Sequence, residues 1–363
     1  MLRALPRAEV ESHIVLPARS PLATELAAAG AQLHVVPMRR LTLSGNLGYR
    51  LAYVVAWPLV VLRLTRLARR IRADVIHTNS LHSLYGFAAA RLARRPHVWH
   101  AREITVQSPA ALRVERALAR RFADVVVAAS DAIAAQLDPR NVRVLIDGVD
   151  PDQFAPARAG RFRAAAGIGD DVPLCGCAGR IDTWKGVDVL LDAFPAVRAR
   201  APTAELVIAG AVVRGKEAYA ASLRARAEAM AGVHWLGHRD DIEEILADLD
   251  VLVLPSTAPE PFGMVLIEAL ASGVPVVATD AGGPQEIAVL AAGPGGQEQG
   301  PVRLVPPGDS AALAGAVSEV LLVSTTSTER RRARRSLWPV PPPDYAALFR
   351  EVVAARRGAS QRH

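Results

Sequence analysis

The chain has 363 residues, of which 51% are hydrophobic and only 5% aromatic. That is too long for one ordinary α/β domain and suits two of about 150 residues each, with cores of Ala, Val and Leu. The formal charge is +7, carried almost wholly by arginine, since Lys185 and Lys216 are the only lysines. No run reaches the roughly 18 apolar residues that cross a bilayer, and the charged start MLRALPRAEVE lacks the apolar stretch of a signal peptide. The expectation is a cytoplasmic chain. A basic balance suits nucleic acid, anionic lipid or phosphorylated substrates, but no module or basic–aromatic pattern of a nucleic-acid binder is visible, so none is expected as a partner.

In the first half, apolar runs predict strands at His13–Leu16, Gln32–Val36, Val75–Thr78, His97–His100, Val125–Ala128 and Val142–Ile146. Helical patterns lie between them at Pro21–Ala29, Ser80–Arg94 and Ala110–Phe122. This βαβ rhythm predicts a parallel, doubly wound sheet. Leu51–Leu62 is an apolar run containing Trp57 and Pro58, followed by Arg63, Arg66, Arg69, Arg70 and Arg72. Twelve residues are too few to span a membrane. A basic, apolar helix could lie on an anionic membrane surface, at the inner face; equally, it could be a buried domain helix with a solvated arginine end. The turn-rich stretch Asp147–Phe154 ends the first domain, 1–155, and residues to about 170 read as a linker with a short helix.

The rhythm then repeats in a second domain, 170–323. Strands are predicted at Leu174–Ala178, Ala204–Ala209, Val233–Leu236, Val251–Leu254 and Pro275–Thr279. Helices are predicted at Val187–Arg200, Ala218–Ala231, Ile242–Ala247, Met264–Ala271 and Ser310–Val323. Residues 324–363 hold a polar, then Arg-rich and Pro-rich tail, read as a mobile or extended connection, and a last helix, Tyr345–Arg356. Cys175 and Cys177 share one face of a strand and read as small core residues, since two thiols make neither a zinc site nor a disulfide framework.

Two stretches carry chemistry. The first runs from Pro255 to Gly283. A strand leads into a Pro-rich loop bearing Glu260, and a helix beginning near Gly263 carries Glu268. Gly273 ends that helix, and a strand then leads to the Ala281-Gly-Gly-Pro-Gln-Glu286 loop. Ligands of doubly wound sheets bind at the carboxyl ends of strands, where Glu260, Gly282 and Gly283 fall. Backbone N–H groups at the helix start, Gly263–Met264–Val265, suit a diphosphate. Gly282 and Gly283 allow close backbone approach. A carboxylate accepts from two adjacent hydroxyls, so Glu260 and Glu268 could grip two sugar rings. The second stretch is Gly179-Arg-Ile-Asp-Thr-Trp-Lys-Gly186, between a strand and a helix. It puts Arg180 and Lys185 where anions bind, and two fixed cations there stabilise a departing diphosphate more than the bound ground state.

The Glu260-x7-Glu268 spacing, the Gly-Arg-x4-Lys-Gly run and the Gly282-Gly283-x-x-Glu286 loop resemble the retaining glycosyltransferases of family four, group 1. The likeness runs from about Asp74 to Gly308 and includes Val233-His-Trp-Leu-Gly-His238. It implies an α/β, GT-B fold: two Rossmann-like doubly wound domains facing a cleft, the N-terminal one on the acceptor side and the C-terminal one holding the donor. It implies that Gly179, Arg180 and Lys185 hold the donor diphosphate, that Glu268 holds the ribose, and that Glu260 contacts the transferred sugar. Gly282 and Gly283 would lie near the phosphates and sugar, and His238 near the nucleotide base. Asp74-Val-Ile-His-Thr-Asn79 and His97-Val-Trp-His-Ala-Arg-Glu103 resemble acceptor-side strands, with His100 placed to reach the sugar; a structural histidine is the alternative there. The implied reaction is metal-independent hexosyl transfer, with no cofactor, from a nucleotide-diphosphate sugar to a glycan, lipid or small-molecule acceptor.

The sequence departs from the family pattern in three places. Met1-Leu-Arg-Ala-Leu-Pro looks like the end of the family's first helix, so the first strand and its Gly-rich loop are missing; a misassigned start is expected, and the alternative is a damaged domain with exposed strand edges. Ala291–Gly300 is a Gly-rich insertion. Asp147 stands where relatives carry asparagine. Two competing readings remain: a nucleotide-sugar epimerase, which would turn over the donor without an acceptor, and a non-catalytic glycan- or membrane-binding remnant.

Overall fold

The computed structural model describes residues 2, 5–39, 47–104, 109–137, 139–293, 300–323, 331–332 and 334–360. Parts of the tail from Thr325, residues 294–299 of the Gly-rich insertion, and Met1, Arg3 and Ala4 lie outside the described residues. The chain forms two compact units, Met1–Asp147 with Pro342–His363, and Gly148–Pro341.

The first unit begins β1 (His13–Leu16), α1 (Pro21–Ala28), β2 (Gln32–Val35) and α2 (Leu47–Arg70). It continues β3 (Ile76–Asn79), α3 (Tyr85–Ala93), β4 (His97–Ala101), α4 (Pro109–Phe122), β5 (Val125–Ala128), α5 (Asp131–Ala134) and β6 (Val142–Val144). Every residue of β4 and β5 is buried. Strands buried along their whole length belong to a parallel sheet covered on both faces. All pairings are parallel, but the strands fall into two separate sheets, β1-β2 and β3-β4-β5-β6. Among the described residues β1 pairs only with β2 and β3 only with β4, so each leaves one edge without a strand partner.

α2 overturns the reading of a twelve-residue run. It is a 24-residue helix with Pro58 inside it, and an 18-residue window has mean hydropathy 1.5, long and apolar enough to cross a membrane by length and composition. One side of it packs into the unit: Tyr53, Val60 and Val61 cluster with Val36 and with Tyr85 and Ala88 of α3.

The second unit opens with α6 (Arg161–Ala166) and then runs β7 (Leu174–Ala178), α7 (Val187–Arg200), β8 (Glu205–Ala209), α8 (Glu217–Glu228), β9 (Val233–Gly237) and α9 (Ile242–Asp248). It completes with β10 (Val251–Leu254), α10 (Met264–Ala271), β11 (Val276–Thr279), α11 (Gly283–Ala292), β12 (Val302–Val305) and α12 (Ser310–Val323). The sheet is parallel, in the order β12-β11-β10-β7-β8-β9. The chain builds outward from β7 in one direction and returns at β10 to build in the other. The carboxyl ends of these two central strands therefore flank the topological switch point, where a doubly wound sheet opens its ligand crevice. Cys175 and Cys177 are buried in β7, and burial pushes the Cys177 thiol up to about 12, so neither is a reactive thiolate.

The units divide differently from the predicted domains. Residues 148–170 belong to the second unit, because Arg163 of α6 is buried against the start of β10. Its guanidinium meets Asp250 Oδ2 at 2.8 Å and donates to the Asp248 carbonyl at 3.0 Å. The tail is also fixed: Arg334 reaches Asp250 Oδ1 at 3.1 Å, Arg331 reaches it at 3.5 Å and is fully buried, and Leu337 N donates to Leu270 O at 2.7 Å. The described part of the tail is thus an anchored strap. The last helix, α13 (Tyr345–Ser360), belongs to the first unit, packing Tyr345, Leu348 and Val352 on Val98, Val125 and Val127.

Candidate functional site

Two loops meet at the switch point. After β7 the chain turns at Gly179, and Asp182 caps a single turn of 3-10 helix, Thr183–Lys185, its Oδ1 accepting from Thr183 N at 2.8 Å. Its Oδ2 accepts from the Trp184 indole N–H at 3.1 Å. This fixes the indole, and the Lys185 ammonium sits 4.3 Å from the centre of that ring. Gly186 then enters α7 with φ +68°, and a Cβ there would lie 1.9 Å from the Pro255 carbonyl oxygen. The loop after β10 therefore docks directly on this turn, with Thr257 N donating to Trp184 O at 2.8 Å.

That docking brings Lys185 and Glu260, 75 residues apart in sequence, to 2.6 Å. Both side chains are largely enclosed, at 13% and 9% exposure. Ser256 Oγ donates to the same Glu260 oxygen at 3.0 Å, and Thr279 Oγ1 holds the Ser256 carbonyl at 2.8 Å. Sequence reasoning gave Lys185 to the phosphates and Glu260 to the sugar as separate tasks; the structure joins them in one enclosed ion pair. Arg180 is exposed and, among the described residues, makes no hydrogen bond or ion pair. It is thus a cation available to an anionic ligand. Asp182, Trp184, Ser256 and Thr279 were not singled out from sequence. The only signal for them was their place within two motifs whose charged members drew attention.

The glycine pair has a different cause from the one expected. Gly282 forms a bridge with Glu260, and Gly283 N donates to Glu260 O at 2.8 Å. A Cβ on Gly282 would fall 2.3 Å from Glu260 O, and one on Gly283 2.3 Å from Phe262 O. The glycines admit the protein's own Glu260 segment, and the Gly283 N–H is already committed to it. Gly263, at φ +105°, caps α10, leaving the N–H groups of Met264 and Val265 without partners inside the helix. Glu268 lies on α10 and is half-buried; burial, then the charge of Glu243, raises its carboxyl to about 7. His238 is exposed and paired with Asp240 at 3.2 Å.

His100, in the first unit, has no exposed surface. Neither ring nitrogen finds a partner among the described residues, and the ring lies 5.9 Å from that of Tyr345. Burial, then the charge of Arg102, lowers it to about 2, so it is neutral at every working pH. In this arrangement the ring is packed within the first unit, as the structural alternative anticipates. The departure at Asp147 also has a partner: the Arg102 guanidinium, at 2.5 Å.

The enclosed lysine–glutamate pair, the exposed arginine and the start of α10 gather at the switch point of a doubly wound α/β sheet, and the two Rossmann-like units are those of the GT-B fold. Residues 172–322 match the family described as "Glycosyl transferases group 1", and residues 1–146 match a "Glycosyl transferase 4-like domain". The chain belongs to the group 1 glycosyltransferases. It is 34% identical over 175 residues to the lipopolysaccharide core biosynthesis mannosyltransferase LpsB of Rhizobium meliloti (strain 1021), covering 47% of this chain and 49% of that protein. It is 32% identical over 243 residues to the alpha-maltose-1-phosphate synthase of Mycolicibacterium smegmatis, covering 59% and 62%. It thus spans half to three-fifths of these relatives. Among solved structures it is similar to Anabaena Alr3699/HepE in complex with UDP and glucose, at TM-score 0.74 and 25% identity over 98% of this chain and 94% of that one. None of these matches supports the epimerase or non-catalytic alternatives.

Proposed function

We propose that the protein transfers a glycosyl group from a nucleoside-diphosphate sugar to an acceptor hydroxyl, with retention of configuration. The observation that carries this is the switch-point crevice, where Lys185 and Glu260 are locked together and Arg180 stands uncommitted. Arg180 and Lys185 take the diphosphate, helped by the free N–H groups at the start of α10. Glu268 accepts from the ribose hydroxyls, and Glu260, oriented by Lys185 and Ser256, faces the transferred sugar. As the bond between the anomeric carbon and the phosphate oxygen breaks, charge grows on the leaving diphosphate. Arg180 and Lys185 meet that charge where it develops. The acceptor oxygen bonds to the same face of the anomeric carbon, and its proton passes to the departing phosphate oxygen. The two cations neutralise the diphosphate without a metal ion in this reading, so chelation by EDTA is expected to leave turnover unchanged.

The test is a thermal-shift screen of UDP-, GDP- and ADP-sugars with the full chain, followed by NMR assignment of the product's anomeric configuration. Stabilisation by at least one donor, and a product of the donor's own configuration, is expected. Failure of every donor to bind, or an inverted product, overturns the reading.

A further inference from the structure

We propose that the exposed face of α2 seats this protein on an anionic phospholipid surface. Leu47, Leu51, Val54, Val55, Leu59 and Leu62 are each 43–78% exposed. They recur at helical spacing, so they form one stripe, about 22 Å long at the rise of an α-helix. Large aliphatic side chains grouped in this way mark an interaction surface; scattered singly, they would need no explanation. The same line continues along the helix into arginine. Arg66 and Arg69 follow Leu62 on the exposed side, flanked by Arg63 and Arg70, and all four are exposed. The helix contains no acidic residue.

A second element extends the basic end. The Arg69 guanidinium donates to the Leu92 carbonyl at 2.7 Å, joining the end of α3 to that of α2. Leu92 is itself exposed, and so are Arg91 and Arg94 beside it. An aliphatic strip merging into a cluster of arginines matches the layered chemistry of a bilayer interface, where acyl chains lie beneath anionic headgroups. The opposite face of α2 is buried protein: Tyr53, Val60, Val61, Thr65 and Ala68. A helix crossing the bilayer alone would need lipid on every side, whereas one with a packed back and an apolar front lies along the surface. The charge complementarity selects acidic lipid as the occupant. The inference does not depend on the donor-site reading.

The test is flotation of the full chain with vesicles of phosphatidylcholine, with and without phosphatidylglycerol. The parent is expected to float with the anionic vesicles and to be released by salt. A Leu51→Ser/Val55→Ser/Leu59→Ser variant should stay in solution with an unchanged melting temperature, since all three side chains are exposed. An Arg63→Gln/Arg66→Gln/Arg70→Gln variant should partition about a hundredfold more weakly onto anionic vesicles, at roughly 1 kcal/mol for each basic residue near the surface. Absence of vesicle binding by the parent, or binding indifferent to both variants, overturns the proposal. So does a stripe variant that changes only the oligomeric mass, which would make the stripe a protein interface. Resistance of the membrane-bound chain to alkaline carbonate would make α2 a span and overturn it as well.

Discussion

Glu268 carries a raised carboxyl because α10 half-buries it beside the charge of Glu243. In the unfolded chain a glutamate titrates near 4.3. The folded state therefore holds this proton more tightly, and the stability that this provides is present below about pH 4 and lost as pH rises through about 7, at most about 4 kcal/mol. Glu268→Gln should remove that slope and melt several degrees above the parent at pH 8; equal melting profiles from pH 5 to 8 would contradict this. Ribose hydroxyls donate best to the ionised carboxylate, so the parent's donor affinity should rise as pH passes through 7, and in Glu268→Gln it should not. Trp184 is a positioning residue: its ring, fixed by Asp182, faces the Lys185 ammonium. Trp184→Ala should lower kcat/KM for the donor about tenfold, and Trp184→Phe should restore most of it, the scale of a partly desolvated cation–π contact. The anion loop was legible in the sequence because its residue types and place between strand and helix have few other uses. The Lys185–Glu260 pair was not, because no local pattern reveals which distant side chain a lysine will face. The burial of His100 was hidden for the same reason: its covering ring, Tyr345, arrives from the end of the chain.

At the level of elements, continuous apolar runs such as Val251–Leu254 were readable to the residue, since a strand buried on both faces leaves no polar position in it. β12 escaped notice because Val302-Arg-Leu-Val305 is short, is interrupted by Arg303 and follows a Gly-rich stretch. α2 was cut to half its length because its arginine-bearing turns read as the end of an apolar run, although those turns are still helical. The docking of the Glu260 segment onto the start of α11 makes a specific demand. Gly283→Ala places a Cβ against the Phe262 backbone, and the fit can recover only if the segment carrying Glu260 shifts. It should cost about 1–3 kcal/mol and weaken donor binding, measured by denaturant unfolding and titration. Gly315→Ala, in the middle of α12 with open space around it, should instead stabilise by about 0.5–1 kcal/mol.

Across the whole molecule, the repeated βαβ rhythm foretold two parallel-sheet domains, but not how the chain is shared between them. The return of α13 to the first unit and the capture of residues 148–170 by the second depend on contacts between segments far apart in sequence. The carboxylate of Asp250 is the centre of the second: it accepts from Arg163, Arg331, Arg334 and the Leu174 amide. Asp250→Ala would leave buried guanidiniums without a counter-charge, at a cost of about 3–5 kcal/mol, and calorimetry should show the second unit melting earlier. The proposed reaction needs cations at the carboxyl end of β7 to receive a diphosphate. Its most direct test is the rate of nucleoside-diphosphate release by Arg180→Ala and Lys185→Ala, with the donor identified by the screen. Each should lose about a hundredfold to a thousandfold in kcat/KM, with exposed Arg180→Ala melting near the parent's temperature and Lys185→Ala melting lower but still folded, because it leaves the enclosed Glu260 without its counter-charge; rates within a few-fold of the parent would contradict it.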